Sequence, residues 1–401
     1  MKKIIICFFI LIIFINTYSF ADDIGDSEEI EEPLSFEVSS SSTSEPVTYS
    51  KNIIVIDRKT LLPLYEKNAY DKVAMASTTK IMTCIIALEH CSLDETITVS
   101  KNAATVHGST LGLHSNTQIS MNDLLYGLML RSGNDCAISV AEYISGSVEN
   151  FSKLMNEKAQ SLNLKNTNFV TPHGLDDPNH YTTAFDLAIL TNYALNNQKF
   201  KDIVSTKNYT ITLNGTSTNI TNTNELLGNV SGVYGVKTGF TFEAGRCLVS
   251  SCKRDNLDII IVVLGADTKK IRTSDSSKLI NYIFNTYKYV NISSTITDSF
   301  NDFLSYFNKN YILEKTTTVP KLKLQKLDNY YFPLSQNETI ELKTKIYFTN
   351  KFNSKISKNS KIGDFCLYKN DILLCDIDIL LDNNLIQNNW KYYFKYIISF
   401  W

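Results

Sequence analysis

Hydrophobic and polar positions along the chain follow two different periods, and the change between them outlines the predicted fold. The first folded segment is the apolar run 52–56, which predicts a buried β-strand, followed by a turn at 57–60 and a second strand near Leu64. Apolar residues then recur at spacings of three and four, which is the period of a helix with one buried face. The predicted helices begin at Ser77, cover 120–130 and 137–144, and continue at 151–162 and 183–195.

Beyond residue 207 the period changes to two, which is the period of a half-buried strand. Segments 209–213 and 217–221 predict a hairpin, because Asn214-Gly215 between them suits a two-residue turn. Three further strands are predicted at 233–237, 246–251 and 259–264, and a helix is predicted at 279–289. Strands at both ends of this region, with helices between them, predict an α/β domain whose sheet joins the early and late parts of the chain.

From residue 291 to about residue 382 the chain alternates apolar and polar residues in short runs, which predicts a small all-β domain. Segments 361–368 and 372–377 form its clearest predicted hairpin. Cys366 and Cys375 lie in the two strands of this hairpin. The pattern leaves open whether they face each other and form a disulfide.

The first 21 residues have the pattern of a secretory signal peptide. Lys2 and Lys3 precede an apolar run over 4–15, and Ser19-Phe20-Ala21 places small residues where a signal peptidase cleaves. An uncleaved membrane anchor is the alternative. Residues 22–49 contain no Lys or Arg and many acidic and serine residues, which predicts a disordered linker.

The last segment, 385–401, is rich in aromatic residues and isoleucine. On a helix, its polar residues line one narrow stripe formed by Asn388, Lys391, Lys395 and Ser399. The segment is too short and too charged to span a bilayer, but it suits an amphipathic helix at the membrane surface with its aromatic rings at headgroup depth. A helix packed into the protein core is the alternative.

Length and composition narrow the classes of protein. A chain of 401 residues suggests two domains with tails, and a net charge of −2 gives no reason to expect nucleic acid as a partner. Of the eight cysteines, all but Cys7 lie outside the signal peptide, and they form no Cys-x-x-Cys, so we expect buried thiols without a disulfide framework. The five histidines show no metal-binding spacing, so we expect them at surface or core positions and expect neither a metal nor a cofactor.

Candidate chemistry begins with Ser77 and Lys80, a Ser-x-x-Lys box at the predicted start of a helix. Residues three apart on a helix share a face, so the hydroxyl and the amine would point into the same volume. A serine hydroxyl is a weak nucleophile, and a neighbouring amine takes its proton only if burial lowers the pKa of that amine. The box supplies the minimum for acyl-enzyme chemistry, although Ser250-x-x-Lys253 has the same spacing by chance.

Two further boxes follow in order along the chain. Ser132-Gly133-Asn134 falls in the break between two predicted helices, and Lys237-Thr238-Gly239 ends a predicted strand. Ser-x-Asn recurs elsewhere and carries little information alone, whereas Lys-Thr-Gly occurs once. The ordered set of helix start, interhelical break and strand end is the arrangement of penicillin-recognising serine enzymes.

Residues from about 50 to 289 resemble the low-molecular-mass penicillin-binding proteins, the D-alanyl-D-alanine carboxypeptidases of the DacA type. The resemblance covers the stretches 75–83, 128–135, 172–175, 181–187 and 235–241. It implies a penicillin-binding protein/β-lactamase-like transpeptidase domain of class α/β over 50–290, with an antiparallel sheet flanked by helices. It also implies a small C-terminal β-domain over 291–383 and an amphipathic membrane anchor over 385–401.

The resemblance assigns catalytic roles to Ser77, Lys80 and Ser132. Ser77 would attack the carbonyl of the penultimate D-alanine, with Lys80 as its base. Ser132, together with Lys80 and Lys237, would pass the proton to the amine of the departing D-alanine. Water would then hydrolyse the acyl-enzyme.

The resemblance also assigns substrate-binding roles. Asn134 would hold the substrate amide, while Lys237 and Thr238, helped by Arg272, would bind the terminal carboxylate. The backbone N–H groups of the nucleophile and of Phe240 would form the oxyanion hole, a contribution of roughly 10²–10³ in rate per donor. The expected substrate-binding set is therefore Asn134, Lys237, Thr238, Gly239, Phe240 and Arg272.

The sequence thus predicts a secreted serine-type D-Ala-D-Ala carboxypeptidase on the outer face of the cytoplasmic membrane. Its expected partners are peptidoglycan stem peptides, β-lactams as covalent inhibitors, and the membrane surface. A β-lactamase is one alternative, disfavoured because the deacylating Glu motif of class A β-lactamases is not found. A non-catalytic wall-binding protein is the other, disfavoured by the intact Ser77, Lys80 and Lys237.

Overall fold

The computed structural model describes residues 44–213, 216–310, 319–327, 330–335, 342–348, 356–369, 372–385, 394 and 397–399. The predicted signal peptide, the linker up to residue 43 and the turn Asn214-Gly215 lie outside these ranges, as does most of the predicted amphipathic segment 385–401. The chain divides into two units, Met1–Tyr282 and Ile283–Trp401.

The first unit is built on a five-stranded antiparallel sheet. The described strands of the unit, in this sheet and beside it, are β1 (Asn52–Asp57), β2 (Pro63–Lys67), β3 (Thr96–Thr98), β4 (Gln118–Ser120), β5 (Asn208–Leu213), β6 (Thr216–Thr221), β7 (Val233–Thr241), β8 (Gly245–Arg254) and β9 (Leu257–Ala266). The sheet has the order β2-β1-β9-β8-β7, and β3–β4 and β5–β6 form two separate pairs. Strands from the two ends of the unit therefore share one sheet, which agrees with the predicted arrangement.

The described part of this unit also contains eight helices. They are α1 (Lys80–His90), α2 (Lys101–Ala104), α3 (Met121–Leu130), α4 (Asn134–Ser145), α5 (Val148–Ser161), α6 (Ala184–Leu195), α7 (Gln198–Ser205) and α8 (Lys269–Thr286), and a 3₁₀ turn (Ala76–Thr79) precedes α1. Ile54 of β1 lies opposite Val262 of β9, and both belong to a hydrophobic core that includes residues of α1, α3, α4 and α6. β1 is buried at every position, as expected for a strand in the interior of a covered sheet.

Helix α4 begins at Asn134, although the apolar pattern predicts a start at residue 137. The additional turn is polar in sequence but buried in the structure. Asp135, in this first turn, accepts a hydrogen bond from the backbone N–H of Leu111 at 2.9 Å. A polar contact with a distant loop therefore extends the helix, and it places Asn134 in the first helical turn.

Helix α8 differs more from its prediction, since it covers Lys269–Thr286 where the apolar pattern indicated 279–289, and Tyr287–Asn291 forms strand β10. Leu279 and Ile280 are buried as the pattern requires. The first half of the helix is held by a buried acid instead. Asp275 accepts hydrogen bonds from the backbone N–H of Tyr49 at 2.9 Å and of Ser50 at 2.8 Å. Hydrophobic periodicity cannot detect a helical face that buries polar groups.

The second unit contains six described strands and one helix. They are β10 (Tyr287–Asn291), α9 (Ser293–Asn310), β11 (Leu322–Leu324), β12 (Tyr331–Ser335), β13 (Leu342–Phe348), β14 (Lys361–Lys369) and β15 (Ile372–Leu381). The described strands form a pair, β10–β12, and a sheet of order β11-β15-β14-β13. The alternating pattern does not predict α9, yet its buried Ile296 and Phe300 have the spacing of one helical turn. The ring of Phe300 packs edge-on against Phe365 of β14 at 5.8 Å between centroids.

The hairpin of β14 and β15 shows whether Cys366 and Cys375 face each other. Its register pairs Cys366 with Asp376 and Leu367 with Cys375. Because adjacent residues of a strand point to opposite faces, the two cysteine side chains lie on opposite faces of the hairpin. They form no disulfide, and none of the cysteines within the described ranges is in one. In the same ranges, no helix is both long and apolar enough to cross a membrane.

Candidate active site

Ser77 lies in the 3₁₀ turn, and Lys80 is the first residue of α1. Both side chains are buried, with Ser77 6% and Lys80 0% exposed. The Nζ of Lys80 donates a hydrogen bond to Ser77 Oγ at 2.8 Å. The turn and the helix therefore place the hydroxyl and the amine within the distance over which a proton passes between two groups.

Lys80 also contacts two other parts of the chain. Its Nζ donates to Asn134 Oδ1 at 2.8 Å and to the carbonyl oxygen of His173 at 2.9 Å. An ammonium group has three N–H donors, and a buried amine is tolerated only when its donors are bonded. These contacts hold the lysine with its amine directed at the serine.

The Ser-x-Asn box forms the turn between α3 and α4. Ser132 is buried and has a φ of 59°, in the left-handed region that residues other than glycine rarely adopt. Such strain persists where the surrounding structure holds it, often at functional sites. Asn134 donates from Nδ2 to the carbonyl of His107 at 2.7 Å, while its Oδ1 accepts from Lys80. The two ends of the Asn134 amide are thus oriented by separate contacts.

Asp135 is a residue that the sequence patterns did not single out. Its carboxylate accepts hydrogen bonds from the backbone N–H groups of Leu111, Gly112 and Leu113, each at 2.9 Å. These bonds hold the loop that carries His107, whose carbonyl in turn orients Asn134. The available signal in the sequence was an acidic residue in a first helical turn, where the helix dipole favours negative charge.

The Lys-Thr-Gly box lies on β7, an edge strand of the five-stranded sheet. Lys237 and Thr238 are buried, and Lys237 Nζ donates to the Thr238 carbonyl at 2.9 Å. The Thr238 hydroxyl lies 2.6 Å from the hydroxyl of Thr223. Thr223, which sequence spacing could not identify because it lies in a turn, therefore orients the hydroxyl of Thr238.

Gly239 brings β7 against the nucleophile turn. A Cβ at this position would lie 3.0 Å from the backbone N of Ser77 and 3.1 Å from the Cβ of Ala76, closer than side chains normally pack. The strand and the turn therefore touch backbone to backbone, which only glycine permits. This contact brings the Lys-Thr-Gly box and the Ser-x-x-Lys box together.

Phe240 and Arg272, also predicted to bind substrate, have partners within the protein. The guanidinium of Arg246 lies 3.7 Å from the centroid of the Phe240 ring. Arg272 is 0% exposed, and its Nη2 donates to the two carboxylate oxygens of Glu225 at 2.8 and 3.0 Å. The structure places Arg272 in a buried ion pair, and direct binding of substrate by this residue stays a prediction.

The stretch 172–175 approaches the nucleophile through backbone atoms. The carbonyl of His173 accepts from Lys80, and Gly174 packs against Ala76. Gly174 has a φ of 91°, and a Cβ there would lie 1.9 Å from the carbonyl oxygen of Ala76. This segment and β7 therefore enclose the nucleophile turn from two sides.

Two buried histidines, His173 and His180, lie in this segment and shortly after it. Burial, together with the nearby charge of Lys80, lowers the pKa of His173 to about 3. Burial lowers the pKa of His180 to about 4, against a smaller opposing effect of Asp177. Both rings are therefore neutral at physiological pH. Among the residues that the structure describes, no three His, Cys, Asp or Glu side chains come together as a metal site requires.

The arrangement suits transfer of an acyl group to Ser77. A hydroxyl bonded to a buried lysine amine is the nucleophile and base that this chemistry needs. The backbone N–H of Ser77, beside Gly239, is a suitable donor to an oxyanion. The fold and the three boxes together define a class of protein, the penicillin-recognising serine enzymes.

Comparison with known proteins identifies the family. The sequence model of peptidase family S11, described as D-alanyl-D-alanine carboxypeptidase, matches residues 39–268. The D-alanyl-D-alanine carboxypeptidase DacF of Bacillus subtilis is 30% identical over 376 residues, covering 90% of this chain and 92% of that protein. DacC of Escherichia coli is 37% identical over 249 residues, covering 59% of this chain and 62% of that protein. The chain belongs to the D-alanyl-D-alanine carboxypeptidase family.

Solved structures agree with this assignment. Penicillin-binding protein 5 from Haemophilus influenzae has a TM-score of 0.68 at 27% identity, covering 86% of this chain and 99% of that chain. DacD from Francisella tularensis has a TM-score of 0.65 at 26% identity, covering 88% and 96%. The Streptomyces K15 DD-transpeptidase has a TM-score of 0.57 at 32% identity, covering 60% and 98%. The predicted family and the α/β class of the fold are confirmed, whereas the C-terminal amphipathic helix stays a prediction.

Replacing Gly174 by alanine is expected to destabilise the protein. The new methyl group would lie 1.9 Å from the carbonyl oxygen of Ala76, and alanine would have to adopt the left-handed φ of 91°. The clash and the unfavourable φ together cost about 3 kcal/mol or more. Urea unfolding followed by circular dichroism measures this loss.

The matched control for Gly174→Ala is Gly146→Ala. Gly146 has a φ of 74°, but no atom lies within 4 Å of the position of a Cβ. This variant is expected to lose only about 1 kcal/mol, from the φ alone. Equal losses of unfolding free energy in the two variants would show that the contact between Gly174 and Ala76 does not contribute to stability.

The buried histidines predict a loss of stability in acid. In the unfolded chain His173 and His180 regain the ordinary pKa of 6.5, so the unfolded state binds protons that the folded state refuses. Their contribution to the free energy of unfolding is complete above pH 6.5 and falls as the pH drops to about 4, by about 1.4 kcal/mol per pH unit for each histidine. Urea unfolding at pH 7, 6 and 5 measures the slope. His180→Asn should reduce it, and an unchanged slope in His180→Asn would contradict the assignment.

Proposed function

We propose that this protein is a serine-type D-Ala-D-Ala carboxypeptidase that removes the terminal D-alanine of peptidoglycan stem pentapeptides through an acyl-enzyme on Ser77. The observation that carries the proposal is the 2.8 Å hydrogen bond between the buried Lys80 amine and the Ser77 hydroxyl. It occurs in a chain of the D-alanyl-D-alanine carboxypeptidase family, with all three boxes intact.

In the acylation step, Ser77 Oγ forms a bond to the carbonyl carbon of the penultimate D-alanine. For this step Lys80 must first lose the proton that it directs at Ser77 Oγ; the neutral amine then takes the hydroxyl proton, while its two remaining N–H groups stay bonded to Asn134 and the His173 carbonyl. The bond from that carbonyl carbon to the nitrogen of the terminal D-alanine then breaks, and the departing amine needs a proton. Ser132, with Lys80 and Lys237, supplies the route for this transfer. Water later attacks the acyl-enzyme and releases the shortened peptide.

The negative charge that develops on the carbonyl oxygen needs donors already in place. We assign this role to the backbone N–H groups of Ser77 and Phe240. Gly239 supports the assignment, because its lack of a Cβ lets β7 lie against the Ser77 backbone N. Removing one donor from such a site lowers the rate roughly 10²–10³-fold.

The terminal carboxylate of the substrate is assigned to Lys237 and Thr238. Thr223 supports this assignment, since its hydroxyl lies 2.6 Å from that of Thr238 and restricts its orientation. Arg272 is the further residue predicted to contact this carboxylate, and its ion pair with Glu225 also anchors the segment that carries Thr223. Asn134, already oriented by Lys80 and the 107 carbonyl, binds the substrate amide.

We place the enzyme on the outer face of the cytoplasmic membrane. The signal-peptide pattern over 1–21 supports export, and the narrow polar stripe of 385–401 supports attachment through an amphipathic helix at the bilayer surface. Apolar burial would provide most of the binding energy of such a helix. A peptidoglycan substrate is consistent with this location.

Penicillin is expected to add one covalent adduct, on Ser77. The mass of the intact protein after treatment measures the adduct, and peptide mapping locates it. Ser77→Ala should carry none. The matched control is Ser250→Ala, which removes the serine of the second Ser-x-x-Lys box; both members of that box lie on β8, where a spacing of three separates side chains onto opposite faces.

Other outcomes of this experiment discriminate between functions. An adduct that survives Ser77→Ala, or that maps to Ser250, would refute the assignment of the nucleophile. Lys80→Arg should fold yet fail to acylate, because guanidinium does not give up its proton near neutral pH. Rapid turnover of penicillin would indicate a β-lactamase. Absence of D-alanine release from a stem pentapeptide would indicate a non-catalytic wall-binding protein.

Deleting residues 388–401 is expected to release an active enzyme into the soluble fraction. Lys391 and Lys395 add attraction to anionic lipid of about 1 kcal/mol each near the surface, weakened by salt. Replacing both with Glu should therefore weaken binding to anionic vesicles more than to neutral ones, which vesicle sedimentation measures. A truncated protein that still sediments with membranes, or that loses its fold, would assign the segment to the β-domain instead.

A further inference from the structure

Thr79 is the residue directly before the candidate base, and its side chain is fully buried. Its hydroxyl oxygen makes two contacts: it lies 2.8 Å from the carbonyl oxygen of Ala76 and 2.8 Å from Nε2 of His180. A hydroxyl has one proton to donate and can accept in return. The direction of each bond therefore depends on which nitrogen of His180 carries the ring proton.

The surroundings of His180 determine this tautomer. Its Nδ1 accepts a hydrogen bond from the backbone N–H of Val170 at 2.9 Å, so Nδ1 carries no proton. Burial keeps the ring neutral, and the proton of a neutral ring must then lie on Nε2. Nε2–H donates to Thr79 Oγ1, which leaves the Thr79 proton to donate to the Ala76 carbonyl. The hydrogen bonds from His180 to Thr79 and from Thr79 to the Ala76 carbonyl therefore run in one direction, and we call this pair of bonds the relay.

The relay ends on a peptide group that matters for catalysis. The carbonyl of Ala76 and the N–H of Ser77 belong to the same peptide unit, which is planar and trans, so the two groups point in opposite directions. Fixing the carbonyl fixes the direction of the N–H. Ala76 has a φ of 48°, a conformation that alanine does not favour and that needs external support.

Contacts on both sides of the Ala76–Ser77 peptide provide this support. On the carbonyl side, the Thr79 hydroxyl and the Cα of Gly174 lie against the Ala76 oxygen. On the amide side, Gly239 of β7 lies against the Ser77 nitrogen. The peptide is therefore held between the segment 172–180, which contains Gly174 and His180, and β7, which carries the Lys-Thr-Gly box.

We infer that His180 and Thr79 are positioning residues that orient the Ala76–Ser77 peptide so that the Ser77 N–H points at the substrate oxyanion. The inference rests on the proposed function, because it requires Ser77 to be the nucleophile and its N–H to be an oxyanion donor. Neither residue touches substrate: His180 acts through Thr79, and Thr79 acts through the Ala76 carbonyl. Sequence reasoning placed His180 among surface or core histidines, and its burial fits the core, but its two ring nitrogens give it this additional task.

The test compares Thr79→Val with Thr191→Val. Thr191 is also fully buried, and its hydroxyl donates to a backbone carbonyl, that of Leu187 in its own helix, at 2.7 Å. Thr79→Val also leaves the buried Nε2–H of His180 without its acceptor, so we expect it to lose somewhat more thermal stability than Thr191→Val, and the acylation rate is the readout that separates the two. Only Thr79→Val should slow acylation by a fluorescent penicillin, by about tenfold, because a misdirected donor loses part of its transition-state contribution.

Steady-state kinetics with an acyl-D-Ala-D-Ala peptide add a second readout. Thr79→Val should lower kcat and leave KM nearly unchanged, since an oxyanion donor acts mainly in the transition state. Thr79→Ser keeps the hydroxyl and should retain the wild-type rate within about twofold. Thr79→Ser should still lose some stability, because it lacks the methyl group of threonine. If the role of Thr79 were only structural, the rate of Thr79→Ser would fall together with its stability.

A double variant tests the relay itself. His180→Asn keeps an oxygen where Nδ1 accepts from Val170 but is too short to reach Thr79, so it should slow acylation about as much as Thr79→Val. In Thr79→Val/His180→Asn the slowing should stay near tenfold, because both changes break one pathway. If the double variant were slowed by the product of the two single effects, or if Thr79→Val acylated at the wild-type rate, the relay would be wrong. A wild-type protein that penicillin does not acylate would instead defeat the proposed function, and the relay with it.

Discussion

The buried amine of Lys80 is the point at which three separate stretches of the chain meet. It is bonded to Ser77 beside its own helix, to Asn134 at the start of α4, and to the backbone carbonyl of His173. An amine buried without partners costs several kcal/mol, so a shift of any of these stretches would leave an expensive unbonded donor in the core. The contacts that align the nucleophile are therefore also contacts that stabilise the fold.

Around this amine, the nucleophile turn is enclosed by backbone rather than by side chains. Gly239 on β7 and Gly174 approach it from two sides, at distances that leave no room for a Cβ. Side chains can change rotamer, but two backbones in contact cannot move without moving their strand or loop. The direction of the Ser77 N–H is for this reason a property of the sheet and of the segment that contains His180.

Sequence patterns predicted the parts of the site that depend on local spacing. Ser77 and Lys80 share a face because they are three residues apart at a helix start. The patterns could not identify Asp135 or His180, whose partners are 24 and 101 residues away along the chain. The polar half of α8 was missed for a related reason, because a face that buries Asp275 lacks the hydrophobic signal that periodicity detects.

The placement of the cysteines has a chemical consequence beyond the fold. Burial raises the pKa of the thiols of Cys84, Cys136 and Cys252, so each is protonated at neutral pH, and the thiolate is the form that reacts with oxidants and alkylating reagents. These three thiols therefore resist oxidation and alkylation, whereas Cys91 and Cys375 are only partly buried. Once Cys91 and Cys375 are replaced, the protection of the other thiols allows site-specific labelling. A cysteine introduced at an exposed position, such as Tyr306 on α9, would react with a maleimide dye long before these buried thiols do.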